Sequence, residues 1–247
     1  MKKRRDLFVA ALGVLLVWQL AAWLLNNDIL PGPLAVMVTF VDELDNGLLD
    51  HLLASLWRVV ASTVLAILLA APAGVMLGQS RRLDSLFSPV VYLFYPIPKV
   101  VLVPVVLLLL GVGDLPKIVI IFLVLFFQIL VLVRDQAASL RPELIESVRS
   151  LGAGRRALFR YVYLPASIPA ILTALRQSVG TAVAVLYVAE LFATRLGLGY
   201  YIYLNGSTLF NYRAMYAGIL AMSLLGLGLY FFVDWLERVV TPWRFTG

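Results

Sequence analysis

The chain has 247 residues, of which 62% are hydrophobic and only 14% charged, with no cysteine and a net charge of +6. That composition excludes an ordinary soluble domain, and the lack of cysteine excludes disulfides, thiolate catalysis and cysteine metal sites. The basic residues sit at the ends of apolar runs, where membrane topology accounts for them better than nucleic acid does; His51, the one histidine, stands alone beside a helix start and argues against a zinc site.

Lipid offers backbone groups no hydrogen-bond partner, so a spanning chain must be helical or a closed barrel. Continuous apolar runs near the ~20 residues that cross a bilayer select helices, whereas a barrel would alternate. The expected fold is all-α, a polytopic membrane protein whose single permease-sized domain, 1–247, carries six spans. The first run, 7–25, follows Lys2, Lys3, Arg4 and Arg5 as a secretory signal would. Its length, Trp18, Trp23 and the ending LNND, which lacks a small-x-small site, predict a retained helix instead. Asp28, Asp42, Glu43, Asp45 and Asp50 then come without Lys or Arg until Arg58, as in an outer segment. The second run, 56–78, holds Gly74-x-x-x-Gly78, a spacing that lets two helices approach. The Arg81-Arg82 turn leads to the third run, 87–110, where Pro96, Pro98 and Pro104 each lack an N–H and disturb the preceding turn. A broken span is tolerated where protein or a water-filled cavity takes up the freed carbonyls. The third run is therefore expected to line a pathway, the other reading being an ordinary kinked span.

The fourth run, 116–133, is followed by a charged stretch to residue 165, then by a fifth run at 170–192. Residues 197–212, rich in tyrosine and glycine, read either as a short interfacial helix that helps receive an outside protein or as an aromatic belt with a turn at Asn205-Gly206. The sixth run, 214–235, ends in a basic tail from Arg238 to Arg244. Basic residues favour the cytoplasm, which places both termini, the Arg81-Arg82 turn and 134–165 inside.

Within that stretch, Pro142 suits a first helical turn, and Glu143 and Glu146 lie near the positive end of the helix dipole. A short helix from Pro142 to about Leu151 is predicted, ended and redirected by Gly152 and Gly154. A second piece, Arg155 to about Tyr163, is basic on one side and aromatic on the other, and Pro165 and Pro169 mark entry into the fifth run. An amphipathic linker at the headgroups would account for this composition. It would not account for the spacing: Glu146-Ser147-Val148, three residues, Gly152, nine residues, then Val162-x-Leu164-Pro165.

That spacing resembles the signature of the membrane subunits of ABC importers, written EAA, three residues, G, nine residues, I-x-L-P. Ser147 and Val148 replace the two alanines and Val162 replaces Ile, all modest changes in volume. PIPKVVLVPVV with GVGDLPK, LYVAELFATRLGLGYYI and the TPWR tail look like the branch that imports sulfonates, taurine, nitrate and related solutes. The resemblance implies that the helix bearing Glu143, Glu146, Ser147, Val148 and Leu151, with Gly152, Ala153, Arg155, Leu164 and Pro165 after it, docks on an ATP-hydrolysing subunit. It also implies a homodimer in a bacterial inner membrane, two such ATPases, and a periplasmic or lipid-anchored binding protein that delivers the solute. The chain has no G-x-x-x-x-G-K-[ST] to cradle phosphates. It is therefore expected to be no enzyme and to bind no cofactor itself, ATP and magnesium belonging to the partner.

Pro98, Lys99, Arg176, Tyr187 and Glu190 are the candidates for the translocation pathway. Intramembrane charges usually face an interior, a cavity or each other. Lys99 and Arg176 could attract an anion, with Glu190 as a gate or anchor; otherwise both cations snorkel to the cytoplasm and Glu190 pairs with Arg195. A secondary transporter or channel would leave the charged segment without a partner, and a membrane enzyme lacks an HExxH or GxSxG here.

Overall fold

The computed structural model describes residues 2–242, without the side chains of 2–5, 7, 8, Pro142 and Arg155. The basic tail beyond Pro242, including Arg244, lies outside the described residues. Those described are helical, with no strand among them. Among the described residues four helices are long and apolar enough to cross a membrane, or five if the bent pair in the third run is one broken span and not a re-entrant loop. The run at 7–25 lies in α1 (Lys2–Leu25), whose apolar part is the shorter Val9–Leu25.

The chain divides into two compact units. One comprises Met1–Ser55 and Glu190–Leu225. Here α1 ends at a left-handed Asn26 (φ 41°), and the Trp18 indole N–H donates to the Pro31 carbonyl at 3.1 Å. Gly32 and Pro33 then start α2 (Pro33–Glu43), Pro33 standing where a missing N–H has no consequence. The acidic segment read as a connection is thus largely helical. It kinks within Leu44–Leu48, where Asn46 and Gly47 (φ 101°) leave the helical conformation, before α3 (Leu49–Gln79) begins. In the same unit α10 (Leu198–Tyr203) continues through a widened turn at Leu204–Thr208. The Asn205-Gly206 pair lies inside that helical turn, a correction to the predicted reverse turn, because the Asn205 amide bonds back to the Tyr201 carbonyl at 3.0 Å. Asn211 then caps the first turn of α11 (Tyr212–Val240).

The other unit comprises Leu56–Ala189 and Gly226–Gly247. Its packing rests on small residues, as helix association in lipid requires. A methyl on Gly74 would lie 2.8 Å from the Leu130 carbonyl, and one on Gly78 would strike the Arg134 carbonyl, so α3 and α6 (Asp114–Ala138) meet backbone to backbone at the small-xxx-small pair. Ser80 caps α4 (Arg81–Phe94), which is fastened to α6 by Arg134 through Ser88 (3.1 Å), Tyr92 (3.1 Å) and Asp84 (3.6 Å). A tight turn at Lys99–Leu102 and α5 (Val103–Leu110) follow, and the two halves of the third run are bent by 76°. The remaining helices of this unit are α7 (Pro142–Ser150), α8 (Arg155–Leu158), α9 (Leu164–Glu190) up to Ala189, and α11 from Gly226 onward.

Candidate functional site: a lever, a broken span and an amide clamp

The charged stretch folds as a helix, a glycine bend and a second helix. Pro142 occupies the first turn of α7 with Glu143 beside it, and Arg149 lies in the last turn, each charge on the end the dipole favours. Gly152 adopts φ 82° and its N–H closes the helix on the Arg149 carbonyl at 2.9 Å. Only glycine adopts that conformation without strain. α8 and a widened turn, Phe159–Tyr163, run on into α9, so Pro165 and Pro169 lie within a continuous helix and do not interrupt the chain at its entry. Glu143, Glu146, Ser147 and Gly152 are exposed, Val148, Ala153 and Pro165 half-buried, and Leu164 is at the edge of exposure. The Arg155 side chain lies outside the described residues. Three large apolar side chains here face outward, Leu151 at 84%, Tyr161 at 69% and Leu144 at 53% exposure. Leu158 and Tyr163 are buried and root the second piece.

Pro98 and Lys99 stand at the break in the third run. The Phe94 carbonyl would normally accept from the N–H of residue 98, which proline does not have. The Ile97 N–H reaches that carbonyl at 3.3 Å, and the Lys99 ammonium adds to it, donating to Phe94 O at 2.6 Å and Tyr95 O at 2.7 Å. It also lies 4.6 Å from the centre of the Phe127 ring. The sequence alternatives for Lys99 thus gain a third member: it holds the break closed on itself. Its charge has no carboxylate partner among the described residues. Arg176 differs, because Glu237 at 3.0 Å and Asp234 at 3.5 Å on α11 neutralise it, with Arg238 on the far side of Asp234 at 2.9 Å. A cleft of about 340 Å³ opens beside Lys99 between the break, α6 and α9. Tyr187 is half-buried on α9.

Glu190, wholly buried, anchors the start of α10. Gly199 N–H donates to its carboxylate at 2.8 Å, as does the Ser55 hydroxyl at 2.8 and 2.9 Å. The Ser55 oxygen accepts from Leu198 N–H at 2.8 Å, and His51 Nδ1 lies 3.0 Å from Gly197 N. Three successive amides, 197, 198 and 199, are therefore each met by a side chain, which satisfies donors that a helix start leaves open. Tyr201 adds a hydrogen bond to Glu43 at 2.7 Å; burial first, and then that carboxylate, push its phenol upward. Sequence reasoning reached Glu190 but not His51 or Ser55. It also missed Arg58, buried in α3 and paired with Asp114 at 2.7 Å. A cation inside an apolar run was the available signal. Among the described residues no group of three or more His, Asp or Glu side chains could hold a metal ion.

Residues 62–243 match the family model described as the binding-protein-dependent transport system inner membrane component. A protein of Brucella abortus named a probable ABC transporter permease is 34% identical over 217 residues, 87% of this chain and 86% of that protein. The taurine transport system permease TauC of Escherichia coli is 30% identical over 99% of this chain and 92% of its own length. Among solved structures, a chain of the MetNI methionine ABC transporter in an inward-facing conformation superposes with a TM-score of 0.66 at 22% identity, covering 78% of this chain and 95% of that one.

Proposed function

The chain belongs to the binding-protein-dependent transport inner membrane family as a permease subunit of an ABC importer, and from that premise we propose that residues 142–165 are the grip through which separate ATPases drive a small anion along a path beside the broken third span. Glu143, Glu146, Ser147, Val148 and Leu151 make the docking face, Gly152 and Ala153 the bend, and Arg155 to Pro165 the link to α9. Two copies of the chain enclose the path, each meeting one of two ATPases that hold ATP and magnesium, and a binding protein delivers the solute from outside. The observation that carries this reading is Leu151, a large apolar side chain left open at the tip of a helix whose cap is complete. Water gives such a group no favourable partner, whereas an apolar pocket on a second protein does.

The anionic solute has separate support. Lys99 keeps an uncompensated positive charge at a cleft within the spans, and the taurine permease TauC is a relative over nearly the whole chain. Arg176, already neutralised, is assigned to holding α9 on α11. The test is ATPase activity and uptake by the reconstituted complex carrying Leu151→Asp or Gly152→Val. Hydrolysis uncoupled from uptake, with subunits still assembled or partly released, is expected; full coupling in both variants would refute the grip.

A further inference from the structure

A second cleft, of about 290 Å³, lies at the end of α1, wholly within the unit formed by Met1–Ser55 and Glu190–Leu225. Its walls are the last turns of α1 from Gln19 to Trp23, the stretch from Asn26 to Gly32, and Arg213 in the first turn of α11. That stretch is fastened at several points. Asn26 takes φ 41°, which asparagine tolerates better than most residues. The Trp18 indole N–H holds the Pro31 carbonyl at 3.1 Å, and the Asn27 side-chain oxygen accepts from the Leu30 N–H at 3.3 Å. A methyl on Gly32 would lie 3.0 Å from Gln19 Oε1, so this side chain rests directly against the glycine. The cleft is therefore formed before any ligand arrives. Its volume, just under the range of small-molecule sites, suits a polar headgroup and not a whole amphiphile.

Arg213 and Asp28 both line this cleft, yet their side chains pair neither with each other nor with any other described residue. A plain anion on Arg213 would meet the like charge of Asp28, and a plain cation on Asp28 would meet Arg213. A ligand with one pole of each sign satisfies both. The guanidinium fork matches the edge of a phosphate, and a carboxylate accepts N–H bonds from a primary ammonium. Arg213 also stands on the side that the loop charges read as outer, where basic residues are scarce, so topology does not account for it. The position of the cleft points to a lipid as the bearer of those poles. It opens where the apolar run Val9–Leu25 stops, the depth at which hydrocarbon gives way to headgroups. Trp23, on its wall and 77% exposed, has an indole N–H that bonds no described residue, a donor left for a glycerol or ester oxygen. Leu24 and Leu25 beside it are exposed as well, which suits acyl chains leaving the cleft and would serve no small polar solute.

We infer that the cleft at the end of α1 holds the headgroup of an aminoethyl phospholipid, its phosphate on Arg213 and its ammonium on Asp28, so that one lipid links the end of α1 to the start of α11. The site shares no residue with the lever or with the cleft beside Lys99.

The assembled permease and ATPase complex is delipidated in detergent and titrated with dioleoyl phosphatidylethanolamine, phosphatidylcholine or phosphatidylglycerol, and the lipids retained are counted by native mass spectrometry. Phosphatidylethanolamine should be held severalfold more tightly than the other two, because trimethylation removes the N–H donors and glycerol offers Asp28 no cation. Arg213→Gln should weaken its retention about tenfold, the loss of a charge-assisted contact. Asp28→Asn should remove the preference over phosphatidylglycerol while retention of the phosphate persists. Both side chains are exposed, and if Arg213→Gln fails to assemble, the Asp28→Asn comparison decides alone. Free phosphoethanolamine and taurine carry the same aminoethyl oxyanion without chains, and at the lipid's own concentration neither should displace it. Displacement by either would assign the cleft to a soluble solute and overturn the lipid reading, as would equal retention of the three lipids or retention unchanged in both variants. Retention is read without ATP or uptake, so the site can fail while the lever stands, and the lever can fail while the site stands.

Discussion

The two connecting segments that flank α9 both leave apolar side chains open, Leu209 and Phe210 after it and Leu151 and Tyr161 before it, but they differ in how their helices are held. After the helix, Leu198, Tyr201 and Ile202 are all buried, and the amides of 197 to 199 are capped by His51, Ser55 and Glu190. Before it, Leu151, Leu144 and Tyr161 are open, and Glu143 and Glu146 are exposed on a helix whose internal needs are met by Pro142 and Gly152. The start of α10 is finished by its own unit. The segment before α9 is complete as a local fold but not as a surface, which is the condition of a part made to be gripped.

Substitutions can break that contrast, and the largest effect falls on the clamp. Glu190→Ala removes the acceptor of the Gly199 amide and the Ser55 hydroxyl in a fully buried place, and should lower stability by about 1–3 kcal/mol for each donor left open. Thermal unfolding in detergent measures it, and a shift as small as that of a surface variant would mean the clamp is ornamental. Ser55→Ala, which strips one cap and one donor, should cost about 1–3 kcal/mol by the same assay. On the lever, Gly152→Val forces a β-branched residue to φ 82° and should cost about 1–2 kcal/mol while uncoupling hydrolysis from uptake; space is not the obstacle, since nothing stands within 4 Å of the added Cβ. Leu151→Asp should change stability by no more than about 0.5 kcal/mol and yet lose ATPase binding or coupling. A stability loss there as large as at Glu190 would erase the difference between the two segments.

Tyr201 adds a smaller test tied to pH. Its phenol is raised in the folded protein by burial and by Glu43, so its contribution is fully present below the ordinary phenol range and fades only as pH rises through the elevated folded value. Wild-type protein should therefore lose stability relative to Tyr201→Phe on strong alkalinisation, and hold a constant advantage of about 1–2 kcal/mol from neutral pH to pH ~9. Unfolding at matched pH values would show whether the advantage is constant over that range.

Much of this was legible because lipid restricts the options. Continuous apolar runs, proline at 96 and 98, and glycine at 152 each dictate a local outcome, and helix, break and bend occur there. The Gly74 and Gly78 pair was readable as a close approach, though not which helix it would meet. The helical state of residues 33–43 was not readable, because acidic loop composition masked the run LAVMVTFV on a helix started by Gly32-Pro33. Nor were the caps: Ser55 and His51 bond amides 143 and 146 residues away along the chain, and periodicity carries no information at that range. Lys99 was found as a charge, but its bonds to two carbonyls depend on the turn that Pro98 creates.

The grip itself is tested most directly by contact. In a chain without cysteine, Leu151→Cys and, as the opposed control, Tyr203→Cys on the clamped segment each offer one thiol, and a short bifunctional thiol and amine reagent is applied to membranes containing the assembled importer. The account predicts a crosslink from residue 151 to the ATPase subunit, altered by ATP, and none from residue 203. A crosslink from 203 to the ATPase, or no product from 151 in a complex that still holds its ATPase, would contradict it.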